Sequence, residues 1–150
     1  FLKYMPTYTV TNSNFNLNSK IKREIAKDIT KIHSKVTGAN SFFAQVIFTK
    51  IKKNNHFMGG KIIKNPQIFL LGQIRAGRSI KVKNKLILGL RDVLIKKTKL
   101  NSSQIWVYMI DLNPSQMIEY GAILPKSGKE KQWFSKLPPN LKKKLLDLEK

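Results

Sequence analysis

Two stretches of the chain share one pattern: EIAKDITKIHSKVTGANSFFAQVIF at residues 24–48 and KLILGLRDVLIKKTKLNSSQIWVYM at residues 85–109. An offset of 61 residues aligns them. The matched positions are Ile25 with Leu86, Ile29 with Leu90, Ile32 with Val93, Asn40 with Asn101 and Val46 with Val107. A repeat of this length indicates two copies of one supersecondary unit.

Each copy has the pattern of a strand, a helix and a second strand. Apolar side chains spaced by three and four over about residues 18–37 predict an amphipathic helix, which the TGAN motif at 37–40 ends. A second such helix follows Ser79, a suitable N-cap. Short runs rich in β-branched and aromatic residues predict strands at 7–10, 42–51, 67–74 and 103–111.

A strand, crossover helix and parallel strand form a right-handed βαβ unit. Two units, at about 6–60 and 66–111, predict an α/β (α+β) fold: a four-stranded sheet with both helices on one face. We expect a single domain over residues 1–150, with a tail from 112 to 150.

Three connecting segments have weaker patterns. Residues 52–66, with MGG and NP, predict a hairpin or loop, and NPSQMIEYG at 113–121 predicts a short helix. The tail predicts a loop followed by a terminal helix, NLKKKLLDLEK.

The sheet face opposite the helices has no predicted cover, because nothing in 150 residues is large enough to provide one. We therefore expect a homo-oligomer that buries this face. The apolar side chains expected there are Val10, Val46, Phe48, Ile105 and Val107.

Charge is the most unusual feature of the composition. The 29 Lys and Arg residues against 8 Asp and Glu residues give a net charge of +21, which attracts polyanions such as RNA. A lysine- and asparagine-rich composition from an AT-rich genome is an equally good explanation. The absence of cysteine excludes disulfides and thiolate chemistry. No apolar run is long enough to span a membrane, so we expect the cytoplasm or the mitochondrial matrix.

Five polar residues are candidates for a catalytic or binding role, and the presence of each also has an ordinary structural explanation. Arg75 and Arg78 flank a strand-to-helix turn, where α/β folds bind carboxylates or phosphates, although most arginines in so basic a chain are solvated. His33 fits a partly buried or capping histidine, and Tyr108 fits a core tyrosine. Glu119 fits either a base with a shifted pKa or a partner of a lysine.

Together with Pro6, these residues lie in the motifs MPTY, FFAQV, GRS, IWVY, MIEYG, LPK and WF. This set resembles the tautomerase superfamily, and within it the cis-3-chloroacrylic acid dehalogenase group, from Met5 to about Phe134. The resemblance implies a tandem βαβ fold assembled as a homotrimer, no metal or organic cofactor, and a small 2-oxo or unsaturated carboxylic acid as substrate.

The resemblance also implies roles for the six residues. Pro6 would exchange a proton with substrate carbon, and Arg75 and Arg78 would bind the substrate carboxylate. His33 would help to hold substrate or water, and the pair of Tyr108 and Glu119 would position and deprotonate an attacking water. Such a site would support tautomerisation, hydration or hydrolytic dehalogenation.

Residues 1–5, FLKYM, precede Pro6 and divide the functional hypotheses. A proline amine has a pKa near 8, which burial and two guanidinium groups lower, whereas a proline nitrogen acylated by Met5 has no basic lone pair. If Pro6 is exposed as the N-terminus, the chain is predicted to be an enzyme. If residues 1–5 remain, the alternative is a non-catalytic subunit of an organellar, mitochondrial ribosome-like ribonucleoprotein that binds RNA through its basic surface.

Overall fold

A computed structural model describes residues 6–39, 44–126 and 128–148. Within these ranges the strands are β1 (Thr7–Ser13), β2 (Gln45–Lys50), β3 (Phe57–Met58), β4 (Lys61–Ile62), β5 (Gln67–Arg75), β6 (Ile105–Leu112), β7 (Ile118–Glu119) and β8 (Ala122–Ile123). The helices are α1 (Ser19–Thr37), α2 (Ile80–Thr98), α3 (Glu130–Ser135) and α4 (Pro139–Asp147). Residues 42 and 43 of the second predicted strand lie outside the described ranges. None of the helices described combines the length and apolarity needed to cross a bilayer.

The two long helices begin and end in matching ways. The Asn18 side chain accepts a hydrogen bond from the Ile21 N–H and caps α1. The Ser79 side chain accepts one from the Val82 N–H and caps α2, which confirms the N-cap predicted from the sequence. Gly38 ends α1 in the left-handed conformation, with φ of 72°, and Lys99 ends α2 in the same way. The sequence repeat therefore corresponds to a structural repeat.

The main sheet has four strands in the order β2-β1-β5-β6. The pairs β1–β2 and β5–β6 are parallel, and β1 and β5 are antiparallel at the centre. The predicted tandem βαβ fold is confirmed. Because β1 and β5 run in opposite directions, Thr7 lies opposite Gln73, and the beginning of β1 meets the end of β5.

The core lies between this sheet and the two helices. Fully buried side chains alternate along the central strands and recur along the helices, as expected for a sheet covered on one face. They include Tyr8, Val10, Ile68, Leu70, Ile25, Ile29, Leu86 and Leu90. The helices approach closely at Gly89, where a Cβ atom would lie 2.7 Å from Cγ1 of Ile32.

The other sheet face carries a different set of residues from the one predicted. Val10 and Ile105 are buried, and Val46, Phe48 and Val107 pack partly buried against the core. The uncovered face instead exposes Ile47, Trp106, Tyr108 and Ile110, between 41% and 52% accessible. Neighbouring residues in a strand point to opposite faces, so an error of one position exchanges the two sets. The face is nonetheless apolar, which is the property that led us to expect an oligomer.

The connecting segments confirm one prediction and correct another. Residues 52–66 contain the antiparallel pair β3–β4, in agreement with the predicted hairpin. Residues 113–121 do not form the predicted short helix: a 3-10 turn at Pro114–Gln116 leads into β7, which pairs with β8. Proline suits the first turn of a helix, but the pairing of Glu119 with Ala122 across Tyr120 and Gly121, both at positive φ, favours a hairpin.

The C-terminal region forms a second, smaller core. Leu124, Leu137 and Leu145 are buried, with Trp133 and Phe134 packed against them. This cluster joins the β7–β8 hairpin to α3 and α4. It also fixes α3, whose first residue is Glu130, and so gives that carboxylate a defined position.

Candidate active site

Several strands and helices begin or end at the same end of the main sheet. Pro6 is buried directly before β1, and its carbonyl accepts a hydrogen bond of 3.0 Å from the Gln45 N–H at the start of β2. The end of β5, which carries Arg75, lies beside it because the two central strands are antiparallel. The last turns of α1 and the first turn of α2 are at the same end, because each helix reverses the direction of the strand before it.

His33 lies in the closing part of α1 and is fully buried. It occupies the position that corresponds to Leu94 in the second repeat, so a polar ring lies where the other repeat has an aliphatic side chain. Its Nδ1 is 2.6 Å from the hydroxyl of Tyr8, and the two rings meet edge to face at 5.7 Å. Burial raises the pKa of Tyr8, against an opposing effect of the positive charge of Arg78.

Arg75 is the largest fully buried side chain. Its Nη2 donates to Oε1 of Glu130 at 2.7 Å, and its Nη1 donates to the carbonyl oxygen of Pro125. The side chains of Arg75 and Glu130 are 2% and 10% exposed. Burial acts to raise the pKa of Glu130, but hydrogen bonds from Arg75 and the Gly128 N–H outweigh it and the pKa is lowered. Glu130 is therefore a carboxylate at neutral pH.

Arg78 lies in the turn between β5 and α2. Its Nη1 donates to the Arg75 carbonyl at 3.1 Å, so the two arginines are joined through the backbone. Gly77 between them has φ of 120°, a conformation that favours glycine and brings the turn back towards the strand end. The positive charge of this guanidinium opposes the rise in the pKa of Tyr8.

Glu119 lies in β7, not in a helix, and is partly buried. Its Oε2 is buried and has no hydrogen-bond partner among the residues that the structure describes. Burial raises the pKa of Glu119 to about 7, with a smaller opposing effect from Arg75. A carboxyl group that titrates near neutrality, with one oxygen unpartnered, can accept a proton from water or substrate.

Tyr108 is placed differently from the other five candidates. It projects from the middle of β6 onto the uncovered sheet face, where it is 52% exposed. Its ring meets Phe69 edge to face at 4.9 Å and stacks with Trp106 at 6.5 Å. His33 and Tyr8 lie on the helix-covered face, so one chain does not bring Tyr108 together with them.

The sequence did not single out two residues that hold this site together. Tyr8 contacts His33, but its alternation with Thr7 and Thr9 predicted only a buried strand residue and gave no sign of this hydrogen bond. Glu130 binds Arg75 from 55 residues away; its only signal was that acids are rare in the chain. Among the described residues, no group of three or more His, Asp or Glu could hold a metal ion.

Comparison with known proteins agrees with this architecture. Residues 5–137 match the family described as putative oxalocrotonate tautomerase enzyme. The crystal structure of N1, a member of the cis-3-chloroacrylic acid dehalogenase family, is 27% identical with a TM-score of 0.87, covering 94% of this chain and 99% of that one. The chain therefore belongs to the tautomerase superfamily, in the group that resembles cis-3-chloroacrylic acid dehalogenase.

More distant structures share the fold. The protein Pt0534, inactivated by 2-oxo-3-pentynoate, is 18% identical with a TM-score of 0.72, over 81% of this chain and 97% of that one. A fused 4-OT asymmetric trimer is 17% identical with a TM-score of 0.70, over 78% and 94% of the two chains. No curated protein sequence matches the chain.

Proposed function

We propose that the protein is an enzyme that tautomerises or hydrates a small 2-oxo or unsaturated carboxylic acid, with the amine of Pro6 as its proton-transfer group. The observation that carries this proposal is the position of Pro6, buried at the end of the sheet where Arg75 and Arg78 also lie. Family membership supports it further, because the matched region begins at residue 5, next to Pro6.

The chemistry requires a free amine on Pro6. Burial at the end of the sheet that carries both arginines favours the neutral amine, which can take a proton from the carbon beside a 2-oxo group and return it elsewhere. In its protonated form the same nitrogen can donate a proton to an unsaturated carbon while Glu119 removes one from an attacking water. Arg75 and Arg78 together bind the substrate carboxylate through planar guanidinium N–H groups, a geometry that lysine lacks.

We further propose that the working form is a homotrimer. The exposed apolar side chains of β6 and β2 need cover, and a structural neighbour is a trimer. A second copy on this face would contact Tyr108. In such an assembly Tyr108 would act on the site of a neighbouring chain, since it points away from the site of its own.

The test compares two forms of the protein, one with residues 1–5 and one that begins at Pro6. Both are assayed for enolisation of a 2-oxo acid and hydration of an unsaturated acid. The trimmed form should be faster by about 10²–10⁴-fold, the range for one acid–base group. Equal rates in the two forms would remove Pro6 from the mechanism.

A covalent probe tests independently whether Pro6 has a free, nucleophilic amine. 2-Oxo-3-pentynoate carries an alkyne conjugated to a ketone, which a neutral amine attacks. It should label the trimmed form on Pro6 and leave the long form unlabelled, because an amide nitrogen is not nucleophilic. Peptide mass spectrometry locates the label. Modification of lysines alone, equally in both forms, would contradict the proposal.

A second candidate function, binding of nucleic-acid phosphates, is favoured by a basic pocket at the opposite end of the sheet. The pocket has a volume of about 390 Å³ and is lined by Asn14, Phe15, Asn16, Lys50, Ile51, Lys53 and Lys64. No acidic residue is in this lining. Three ammonium groups around an apolar floor could bind phosphates and stack a base on Phe15.

This candidate is tested by salt dependence. A variant with Lys50, Lys53 and Lys64 changed to Gln is compared with a control in which the three lysines at 142–144 are changed, so both lose the same charge. Binding of a single-stranded RNA 20-mer is measured by anisotropy at several salt concentrations. The slope of log K against log salt should fall by about 2 in the pocket variant only. Equal changes in both variants would mean that bulk charge, not the pocket, binds RNA.

A further inference from the structure

The ion pair between Arg75 and Glu130 joins the end of β5 to the C-terminal region. Oε1 of Glu130 accepts from Arg75 Nη2 at 2.7 Å and from the Gly128 N–H at 3.0 Å. The second terminal nitrogen of Arg75 donates to the Pro125 carbonyl. Pro125 and Glu130 therefore bind the guanidinium at two of its nitrogens and hold its plane in one orientation.

Burial makes this arrangement more than a surface salt bridge. The Arg75 side chain is 2% exposed, and the carboxylate that meets it is 10% exposed. Removing two charges from water costs several kcal/mol per ion unless geometry and further hydrogen bonds compensate. Here the Gly128 N–H and the Pro125 carbonyl supply such bonds, so the pair has one well-defined geometry.

Arg75 also belongs to the proposed site. It is the charged group that opposes the effect of burial on Glu119, and its backbone carbonyl accepts the hydrogen bond from Arg78. The position of the Arg75 guanidinium thus affects the electrostatic environment of Glu119, and the backbone of the same residue holds Arg78. A group that fixes the orientation of this guanidinium controls how a carboxylate is received.

We infer that Glu130 is a positioning residue, which fixes the plane of the Arg75 guanidinium so that it receives the carboxylate of the substrate. This inference rests on the proposed function. It assigns a role to the C-terminal region: the small core around Leu124, Leu137 and Leu145 holds α3, and α3 presents Glu130 to the site. Glu130 does not touch substrate and acts through Arg75.

Positioning and simple electrostatics predict opposite results for Glu130→Leu, which removes both the charge and the oxygen that accepts from Arg75. If Glu130 acted only through its charge, its removal would leave Arg75 more positive towards an anion, and a carboxylic acid would bind more tightly. If Glu130 fixes the guanidinium plane, the acid should bind more weakly, by about 10–100-fold, because a shift of about 1 Å at a binding group has effects of this order. The sign of the change therefore separates the two explanations.

The experiment measures pyruvate binding to the trimmed protein by calorimetry, together with KM and kcat for hydration. We expect Glu130→Leu to raise the dissociation constant and KM, with kcat changed less than about threefold. Glu130→Asp keeps the charge but shortens the side chain, so we expect an intermediate loss. The matched control is Asp111→Asn, which removes a carboxylate that pairs with Lys83 at the same distance of 2.7 Å; it should leave binding unchanged.

A double-mutant cycle tests whether Glu130 acts through Arg75. In an Arg75→Lys background, Glu130→Leu should have no further effect on pyruvate binding. Additive losses would overturn the inference, as would tighter binding in Glu130→Leu alone. Thermal melting shows whether each variant folds; a purely structural pair would lower the melting temperature and leave the affinity of the folded fraction unchanged.

A measurement on the unmutated protein keeps the inference testable if the variants do not fold. The Nε–H resonance of Arg75 should shift when pyruvate saturates the site, and should show slow exchange before binding because both terminal nitrogens are held. An unaffected resonance would contradict the role of Arg75 and Glu130. If this resonance shows slow exchange and pyruvate shifts it, but no substrate is turned over, the proposed function fails while the positioning inference stands.

Discussion

Changing Glu119 to Gln tests the chemistry of the site most directly. Burial raises the pKa of Glu119 from 4.5 to about 7, so the side chain changes charge across the physiological range. A pKa of about 7 leaves roughly 10% of the carboxyl ionised at pH 6 and roughly 90% at pH 8. If Glu119 is the base that activates water, kcat/KM for hydration should rise with pH along a limb with its midpoint near pH 7, and fall at higher pH where Pro6 loses the proton that it donates. Glu119→Gln should lower the rate by about 10²–10⁴-fold and abolish this rise.

The same shift predicts a change in stability that does not depend on activity. The folded protein binds a proton at Glu119 between pH 4.5 and about 7, where the unfolded chain has released it, so stability falls as pH rises through this window. Each pKa unit is worth about 1.4 kcal/mol, but Glu119 is only partly buried and water screens its charge. We therefore expect the free energy of unfolding of Glu119→Gln, taken relative to that of the wild type, to increase by about 1–2 kcal/mol from pH 5 to pH 8.

The assay is chemical denaturation of both proteins at pH 5 and pH 8. Asp92→Asn, which removes an exposed carboxylate of α2, controls for the loss of one negative charge. A difference between wild type and Glu119→Gln that stays constant across pH would refute the argument from burial. If the pH profile of the hydration rate has its midpoint near pH 4.5, the pKa of Glu119 is not raised in the active enzyme, and the argument from burial is refuted there as well.

Three further predictions follow from other parts of the molecule. Arg78→Lys should weaken binding of a 2-oxo acid by about 1–3 kcal/mol in calorimetry, whereas Arg91→Lys, on the exposed surface of α2, should not change it. Gly89→Ala should destabilise the fold by about 1–3 kcal/mol in thermal melting, because the new Cβ would lie 2.7 Å from Ile32, although alanine in an open helix would stabilise it; a gain in stability would contradict the close helix packing. Trp106→Glu should convert a trimer into a 17.3 kDa monomer in light scattering, and an unchanged mass would mean that the exposed sheet face is not the interface.

Local patterns were sufficient to predict most of the main fold. The apolar spacing of α1 and α2 and the Ser79 cap depend on neighbours within a few residues, so the sequence contains them directly. The repeat is visible when the chain is aligned with itself at an offset of 61 residues. The motifs around Pro6, Arg78 and Glu119 carried the resemblance to the superfamily. The family match and the similarity to N1 confirm that resemblance.

The sequence was less informative where two conformations compete locally. Residues 113–121 contain a proline and an apolar spacing that suit a short helix, yet they form a turn and a hairpin. The two faces of the sheet were exchanged for a similar reason. Strands with apolar residues on both faces, such as VIF at 46–48 and IWVYMI at 105–110, do not reveal from their sequence which face the helices cover.

Only the tertiary structure joins distant residues into a site. The sequence determined that His33 lies late in α1 and that Arg75 ends a strand. It did not determine that Tyr8 reaches His33, that Glu130 binds Arg75 from 55 residues away, or that Tyr108 faces outward. The physical reason is that local structure follows from backbone sterics and apolar spacing within a few residues. A buried ion pair, in contrast, forms only where the packed chain brings two charges together and excludes water from them.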